Sequence, residues 1–282
     1  MTESYITDKE YIINKWNGKI LKCDNKKKNT IVDNLKIFYI NPNKSIKRRE
    51  NILYQFKKSN IDLDKVERVE PTLYPSVADY KLKNNILSLD HIRMWQKSFD
   101  QNLDGALFFE DDIYFLKDWK NIIQNIFDEY KKVDILRFDS APLISTTGIS
   151  KDEIAVFSTK ALACLGGYYM SRDAITTALT IVKTSNWSWI TIETLVYDII
   201  KQYFLKSTYE TSPRICIQNW FLGDGSALQK NKHMKRLKDV QCNGYLQRYN
   251  NRYIFDKKTK VTIKNIIEEY KNNKTYEEKI IS

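Results

Sequence analysis

Long hydrophobic runs are missing from this sequence of 282 residues. The longest apolar stretch, 161–170, contains Gly166 and Gly167 and falls far short of the roughly 20 residues that cross a bilayer. The opening Met1-Thr-Glu-Ser-Tyr-Ile6 has no basic start followed by an apolar run. No secretory leader is therefore expected, and a cytoplasmic location is. Cysteine is scarce and scattered: Cys23, Cys164, Cys216 and Cys242 form no C-x-x-C pair. That excludes the usual zinc spacings and predicts free thiols in a reducing compartment. Glycine is sparse as well, and no G-x-x-x-x-G-K occurs, which removes the phosphate-cradling loop of many nucleotide enzymes. With only two histidines, His91 and His233, any imidazole chemistry falls on one of those positions.

Charge and aromatic residues are plentiful. A hydrophobic fraction of 42% with 13% aromatics argues for a large packed core rather than disorder. The net charge of +11 invites a nucleic-acid reading, yet the 46 basic residues comprise 36 lysines and only 10 arginines. Base and phosphate recognition favours the bidentate guanidinium. The lysine excess, with abundant Asn, Ile and Tyr, instead resembles the codon bias of an AT-rich genome. Weak attraction to anionic surfaces is expected, and specific nucleic-acid binding is not.

The chain is organised around Ala106-Leu-Phe-Phe-Glu-Asp-Asp-Ile-Tyr-Phe115. Four apolar residues after Gly105 predict a short buried strand that delivers Glu110, Asp111 and Asp112 to its C-terminal end. Ligands of open α/β sheets bind beyond that end. Adjacent carboxylates repel one another unless a cation or hydrogen-bond donors offset them. Mg²⁺ or Mn²⁺ suits the task, since such ions take carboxylate and phosphate oxygens together. A solvated acidic turn is the plain alternative.

Around this stretch the pattern is that of an α/β domain. Residues 35–40 read as a strand stopped by Pro42, and Ser45 stands where it would cap a helix. Residues 66–69 read as a second, parallel strand. A helix follows over about 86–99, carrying His91, which on a helix by itself reads as a structural histidine. Beyond the acidic stretch come a helix over 119–130, a strand over 133–138 ending at Asp139, and a strand over 154–158. Ser171 caps a helix over 172–183. Trp187 and Trp189 lie in a loop, a helix begins near Glu193, and residues 214–217 read as a last strand. A basic segment holds His233, Lys235 and Arg236. Residues 1–33 are polar, and the tail beyond Thr259 has the spacing of an amphipathic helix.

Several of these pieces, in this order, resemble glycosyltransferase family 25. They are Tyr39-Ile-Asn-Pro42 with Arg48-Arg49, Leu89-Asp-His-Ile-Arg-Met-Trp95, Phe109-Glu-Asp-Asp-Ile113, Gly167-Tyr-Tyr-Met-Ser-Arg-Asp-Ala174, and then Glu193, Pro213 and Gln218. The chain departs from the family pattern at Pro42, Asp90 and Glu193. The resemblance implies a GT-A-type fold, a Rossmann-like mixed sheet flanked by helices, over 34–245. Residues 1–33 would then be an N-terminal extension and 246–282 a C-terminal helical one. It also implies an inverting transfer of galactose or glucose from a UDP-sugar to a glycan, lipid-linked or protein acceptor. The cation, Mn²⁺ or Mg²⁺, would sit on Asp111 and Asp112, with His233 a candidate third ligand. Asn41, Arg49, His91, Glu110, Asp139 and Lys235 would surround the donor.

Direct inversion needs a general base for the acceptor hydroxyl, and Glu193 holds the family's acidic position. A carboxylate at a helix N-terminus, favoured by the dipole, is the competing account of Glu193. Likewise, His233 and Lys235 also read as a solvated basic face, and the two tryptophans as a sugar platform or as core. Two other functions remain compatible with the sequence. One is a phosphoryl or nucleotidyl transferase using the same acids; the other is a sugar- or partner-binding module without turnover. A homo-oligomer is compatible with it too.

Overall fold

The computed structural model describes residues 18–23, 29–72, 80–139, 153–158, 165–184, 196, 201–212, 214–218, 253–257 and 260. Glu193, His233, Lys235, Trp187, Trp189 and the tail after 260 lie outside them. The strands are β1 (Lys19–Lys22), β2 (Lys36–Ile40), β3 (Val66–Val69), β4 (Gly105–Glu110), β5 (Ile113–Phe115), β6 (Ile135–Arg137), β7 (Glu153–Phe157), β8 (Gly167–Ser171), β9 (Thr208–Ser212) and β10 (Cys216–Gln218). The main helices are α1 (Ile46–Lys58), α2 (Tyr80–Asp100), α3 (Trp119–Glu129) and α4 (Arg172–Thr184).

Eight of the strands form one mixed sheet in the order β1-β7-β9-β6-β8-β4-β2-β3. β2 pairs in parallel with both β3 and β4, while β8 runs antiparallel between β4 and β6. β4 and β6 therefore point the same way as β2, and their C-terminal ends emerge on one edge. This is the mixed α/β architecture that the sequence predicts.

Side-chain alternation assigns the two faces. Ile37, Tyr39, Leu107, Phe109 and Leu136 pack with Ile52 and Phe56 of α1 and with Ile122, Ile123 and Ile126 of α3. Phe38, Ile40, Ala106, Phe108 and Ile135 pack with Met94 and Trp95 of α2 and with Ile175 and Ala178 of α4. β4 is covered on both sides, which is why its sequence is continuously apolar rather than alternating. Glu110 follows in register on the α2 face.

Two strips outside 34–245 take part in this core. β1 pairs antiparallel with β7 as an edge strand. Tyr253 and Phe255 are buried, and Gln55 clips their segment down by donating to the Ile254 carbonyl at 2.7 Å while accepting from Phe115 N–H at 3.1 Å. β9 is an addition to the predicted elements. Its segment, Thr208-Tyr-Glu-Thr-Ser212, is polar, yet it lies inside the sheet beside β6.

A buried ion pair explains how polar β9 is accommodated. Arg137 on β6 donates to Glu210 directly across on β9 at 2.6 Å, and the two side chains are 0% and 2% exposed. Removing one partner of such a pair leaves a charge in the interior, at a cost of about 3–5 kcal/mol. Glu210→Ala should lose about that much unfolding free energy in urea. The double replacement Arg137→Met with Glu210→Leu should recover most of it. A small loss in the single variant would show that the carboxylate does not hold Arg137 in place.

Candidate active site

The acids gather where the parallel strands end. Asn41 follows β2, Glu110 closes β4, and Asp139 follows β6 by two residues. Gly166 and Gly167 stitch these ends together, their carbonyls accepting from Glu110 N–H at 2.8 Å and Phe138 N–H at 2.9 Å. A Cβ on Gly166 would lie 2.7 Å from Asp139 Oδ2, and one on Gly167 would lie 2.7 Å from Cys216 Sγ. Both positions need close backbone approach, the role open to that glycine pair from the sequence. The β5–β10 pairing sets Gln218 opposite Ile113, and Gln218 Nε2 donates to Glu110 Oε2 at 3.1 Å.

Of the quoted pair Arg48-Arg49, Arg48 is the arginine that reaches the acidic cluster. Its Nη1 lies 3.2 Å from Asp111 Oδ1 and 3.7 Å from Asp112 Oδ2. Arg49 instead exerts its charge on the Tyr39 phenol. The helical period decides between adjacent arginines, and only folding shows which one faces the strand ends. Asn41 joins the cluster, donating to Asp111 Oδ2 at 2.7 Å and to the Ser45 carbonyl at 3.1 Å. That second bond ties the acids to the start of α1.

Burial dominates the electrostatics. The Asp112 carboxyl is pushed up to about 7 by burial, with Glu110 and Asp111 adding to the rise and Arg48 opposing it. Asp111 is raised by burial as well, against the pull of Arg48 and Asn41. Burial would lower Arg48, but the carboxylates of Asp112 and Asp111 outweigh it and hold the guanidinium above its ordinary range. Asp112 Oδ1, Asn41 Oδ1 and Asp139 Oδ1 are buried oxygens that accept no hydrogen bond from the described residues. Buried acceptors in that state are exceptional and call for an explanation such as an ion or a ligand.

The donor set suits a hard cation only in part. Among the described residues no three His, Cys, Asp or Glu side chains are grouped closely enough to hold a metal by themselves. Mg²⁺-type sites nevertheless often take one or two carboxylates and complete their shell with water and substrate phosphate. The residues present fit such an open site through Asp112 Oδ1 and the neighbouring Asp111.

Asp139 sits apart from the Arg48 contacts. Its Oδ2 accepts from Gly166 N–H at 2.8 Å. Burial pushes its carboxyl up to about 7, Glu110 reinforcing the rise while Arg137 and Arg214 oppose it. Since the folded value exceeds the unfolded one near 3.9, the folded state holds this proton more tightly. The associated stability is complete below about pH 4 and is lost as pH rises through about 7. Asp139→Asn, which cannot ionise, should therefore raise unfolding free energy by about 1–4 kcal/mol at pH 8, the gain vanishing near pH 4. Denaturant titrations at the two pH values measure it, and an equal change at both would contradict the assignment.

His91, fully buried, lies between Tyr168 Oη at 2.8 Å from Nδ1 and Glu110 Oε1 at 3.8 Å from Nε2. It thus borders the acids from the α2 side, packed into the core yet adjoining the candidate site. The Asp90 departure has a local explanation: its Oδ1 accepts from Thr72 N–H at 2.8 Å, Thr72 Oγ1 at 3.0 Å and Arg93 at 3.3 Å. That carboxylate anchors the loop before α2 rather than joining the acidic cluster. Arg137, Arg214 and Glu210 are residues near the site that sequence reasoning missed. An arginine within the apolar run 133–138 was the available signal.

No family model matches the chain. It is 24% identical over 255 residues to the lipooligosaccharide biosynthesis protein lic2B of Haemophilus influenzae, covering 82% of this chain and 88% of that one. Among solved structures it is similar to a glycosyltransferase involved in glycosylation of the major capsid of PBCV-1. That match has 12% identity and a TM-score of 0.38, over 72% of this chain and 98% of the other. A solved protein of STIV, also 12% identical, gives a TM-score of 0.35 over 62% of this chain and 81% of that one. No helix among the described residues is long and apolar enough to cross a membrane.

Proposed function

We propose that this chain is a metal-dependent, inverting glycosyltransferase of GT-A type that moves a hexose from a UDP-sugar to an acceptor hydroxyl. The observation that carries the reading is Asp112 Oδ1, a buried carboxylate oxygen accepting no hydrogen bond, in an acidic cluster at the C-terminal ends of parallel strands. The similarity to a lipooligosaccharide biosynthesis protein supports it and favours a lipid-linked saccharide as acceptor.

In this reading Asp111 and Asp112 would hold the cation, with His233 the candidate third ligand. When bound there, Mn²⁺ or Mg²⁺ would supply Lewis-acid stabilisation of the departing nucleoside diphosphate. Arg48 offsets part of the charge of these acids. Lys235 would bind the donor through its diphosphate. Asp139 and Glu110 offer carboxylate oxygens to donor-sugar hydroxyls, and Glu193 takes the proton of the acceptor hydroxyl.

Thermal unfolding with UDP, UDP-glucose and UDP-galactose, each with and without Mn²⁺, tests this directly. A ligand at 100 times its Kd adds about 2.7 kcal/mol to apparent stability. Stabilisation by a UDP-sugar only when Mn²⁺ is present is the expected pattern. Stabilisation with no turnover on any saccharide acceptor would favour a binding module. Preference for nucleoside triphosphates over UDP-sugars would favour a phosphoryl or nucleotidyl transferase.

A further inference from the structure

Behind the acidic cluster three buried side chains make a line of polar contacts. Trp95 Nε1 lies 2.9 Å from Tyr168 Oη, and His91 Nδ1 lies 2.8 Å from the same oxygen. All three residues are fully buried, which makes each unpaired polar atom among them costly. The indole N–H can only donate, so the Tyr168 oxygen accepts there. Burial holds the phenol well above its ordinary range, so Tyr168 keeps a proton of its own to place. The acceptor in line with it is His91 Nδ1. A ring protonated at Nδ1, neutral or cationic, would set N–H against O–H and strand that hydroxyl proton. The pairing that gives the Tyr168 proton an acceptor has a neutral imidazole with its hydrogen on Nε2.

That nitrogen is 3.8 Å from Glu110 Oε1, beyond hydrogen-bonding distance but close enough for electrostatic attraction. Glu110 Oε2 is meanwhile held by Gln218. Glu110 is also the most open of the three acids, with 20% of its side chain exposed against 6% for Asp111 and 5% for Asp112. A neutral N–H steadies a carboxylate without cancelling its charge, which leaves the remaining lone pairs strong acceptors.

We propose that Trp95 and Tyr168 lock His91 in the neutral Nε2–H tautomer, making His91 a positioning residue that aims the Glu110 carboxylate at the hydroxyl groups of the donor sugar. The identity of the ligand rests on the glycosyltransferase reading; the tautomer does not. Because the chain has two histidines, nitrogen NMR of protein labelled at histidine resolves both rings, and the signals lost in His91→Gln identify His91. At pH 7 the wild type should show Nε2 protonated and Nδ1 bare, and Tyr168→Phe should mix the two tautomers. A proton on Nδ1 in the wild type, or an unchanged spectrum in Tyr168→Phe, would overturn the lock.

Calorimetry with Mn²⁺ then separates UDP from UDP-glucose and UDP-galactose as probes. His91→Leu should weaken the UDP-sugar that binds best by about tenfold while leaving UDP within a few-fold, the scale of one hydrogen bond to a charged group. His91→Gln, which keeps an N–H near the position of Nε2, should restore most of that loss. Equal weakening of UDP and UDP-sugar would remove the aim at the sugar. If no UDP-sugar binds the wild type, the functional reading fails while the spectrum still decides the tautomer.

Discussion

Asp112→Asn is expected to abolish Mn²⁺-dependent UDP binding and to leave the fold intact. Asp112 lies at the turn between β4 and β5, with Oδ2 facing Arg48 and Oδ1 accepting no hydrogen bond. An amide keeps the size of the side chain but loses the charge that a divalent ion needs. Burial and the neighbouring Glu110 already hold the carboxyl near 7, so its ionised form is costly in the absence of a cation. The substitution should therefore be neutral or mildly stabilising without metal. Calorimetric titration of UDP in Mn²⁺, paired with urea unfolding in chelator, checks both halves. Equal UDP affinity in wild type and variant would mean that the acidic cluster is not the donor's metal site.

Glu193→Gln should lower sugar transfer by roughly 10²–10⁴-fold, the usual loss on removing a general base, while UDP and Mn²⁺ affinities stay within a few-fold. An inverting transfer needs a carboxylate beneath the acceptor hydroxyl, outside the metal cluster. The described acids are poorly suited. Asp111 is tied to Arg48 and Asn41, Glu110 to Gln218, and Asp139 to the Gly166 amide. Of the acids in the second half of the chain, Glu193 is the one that the glycosyltransferase resemblance singles out. Steady-state rates with acceptor, set against nucleotide affinity, separate the outcomes. Donor binding lost in parallel with activity would make Glu193 structural or donor-binding. Near-normal turnover would move the search to Asp198, five residues further along the chain, or to Asp139.

The sequence by itself determined the elements whose burial is uniform. β4 is legible because both faces are covered, so all of Ala106–Phe109 must be apolar. The α/β order, the placing of Glu110, Asp111 and Asp112 at a strand end, and the cap by Ser171, whose Oγ accepts from Ala174 N–H at 3.2 Å, all follow from local spacing. Local spacing is silent about pairs far apart in the chain. β9 escaped because its burial depends on Glu210 meeting Arg137, 73 residues away, and polar residues in isolation do not read as core. Arg48 and Arg49 are equivalent until α1 is docked and one of them faces Asp111. His91 was legible as a histidine within a helix, but its tautomer comes from Tyr168 on an antiparallel strand and from Trp95 one helical turn away. Backbone hydrogen bonds and apolar period are written over a few residues at a time. The balance of buried charges and the direction of each buried proton are set by the groups that tertiary packing brings within about 4 Å, where the low dielectric of the interior makes them decisive.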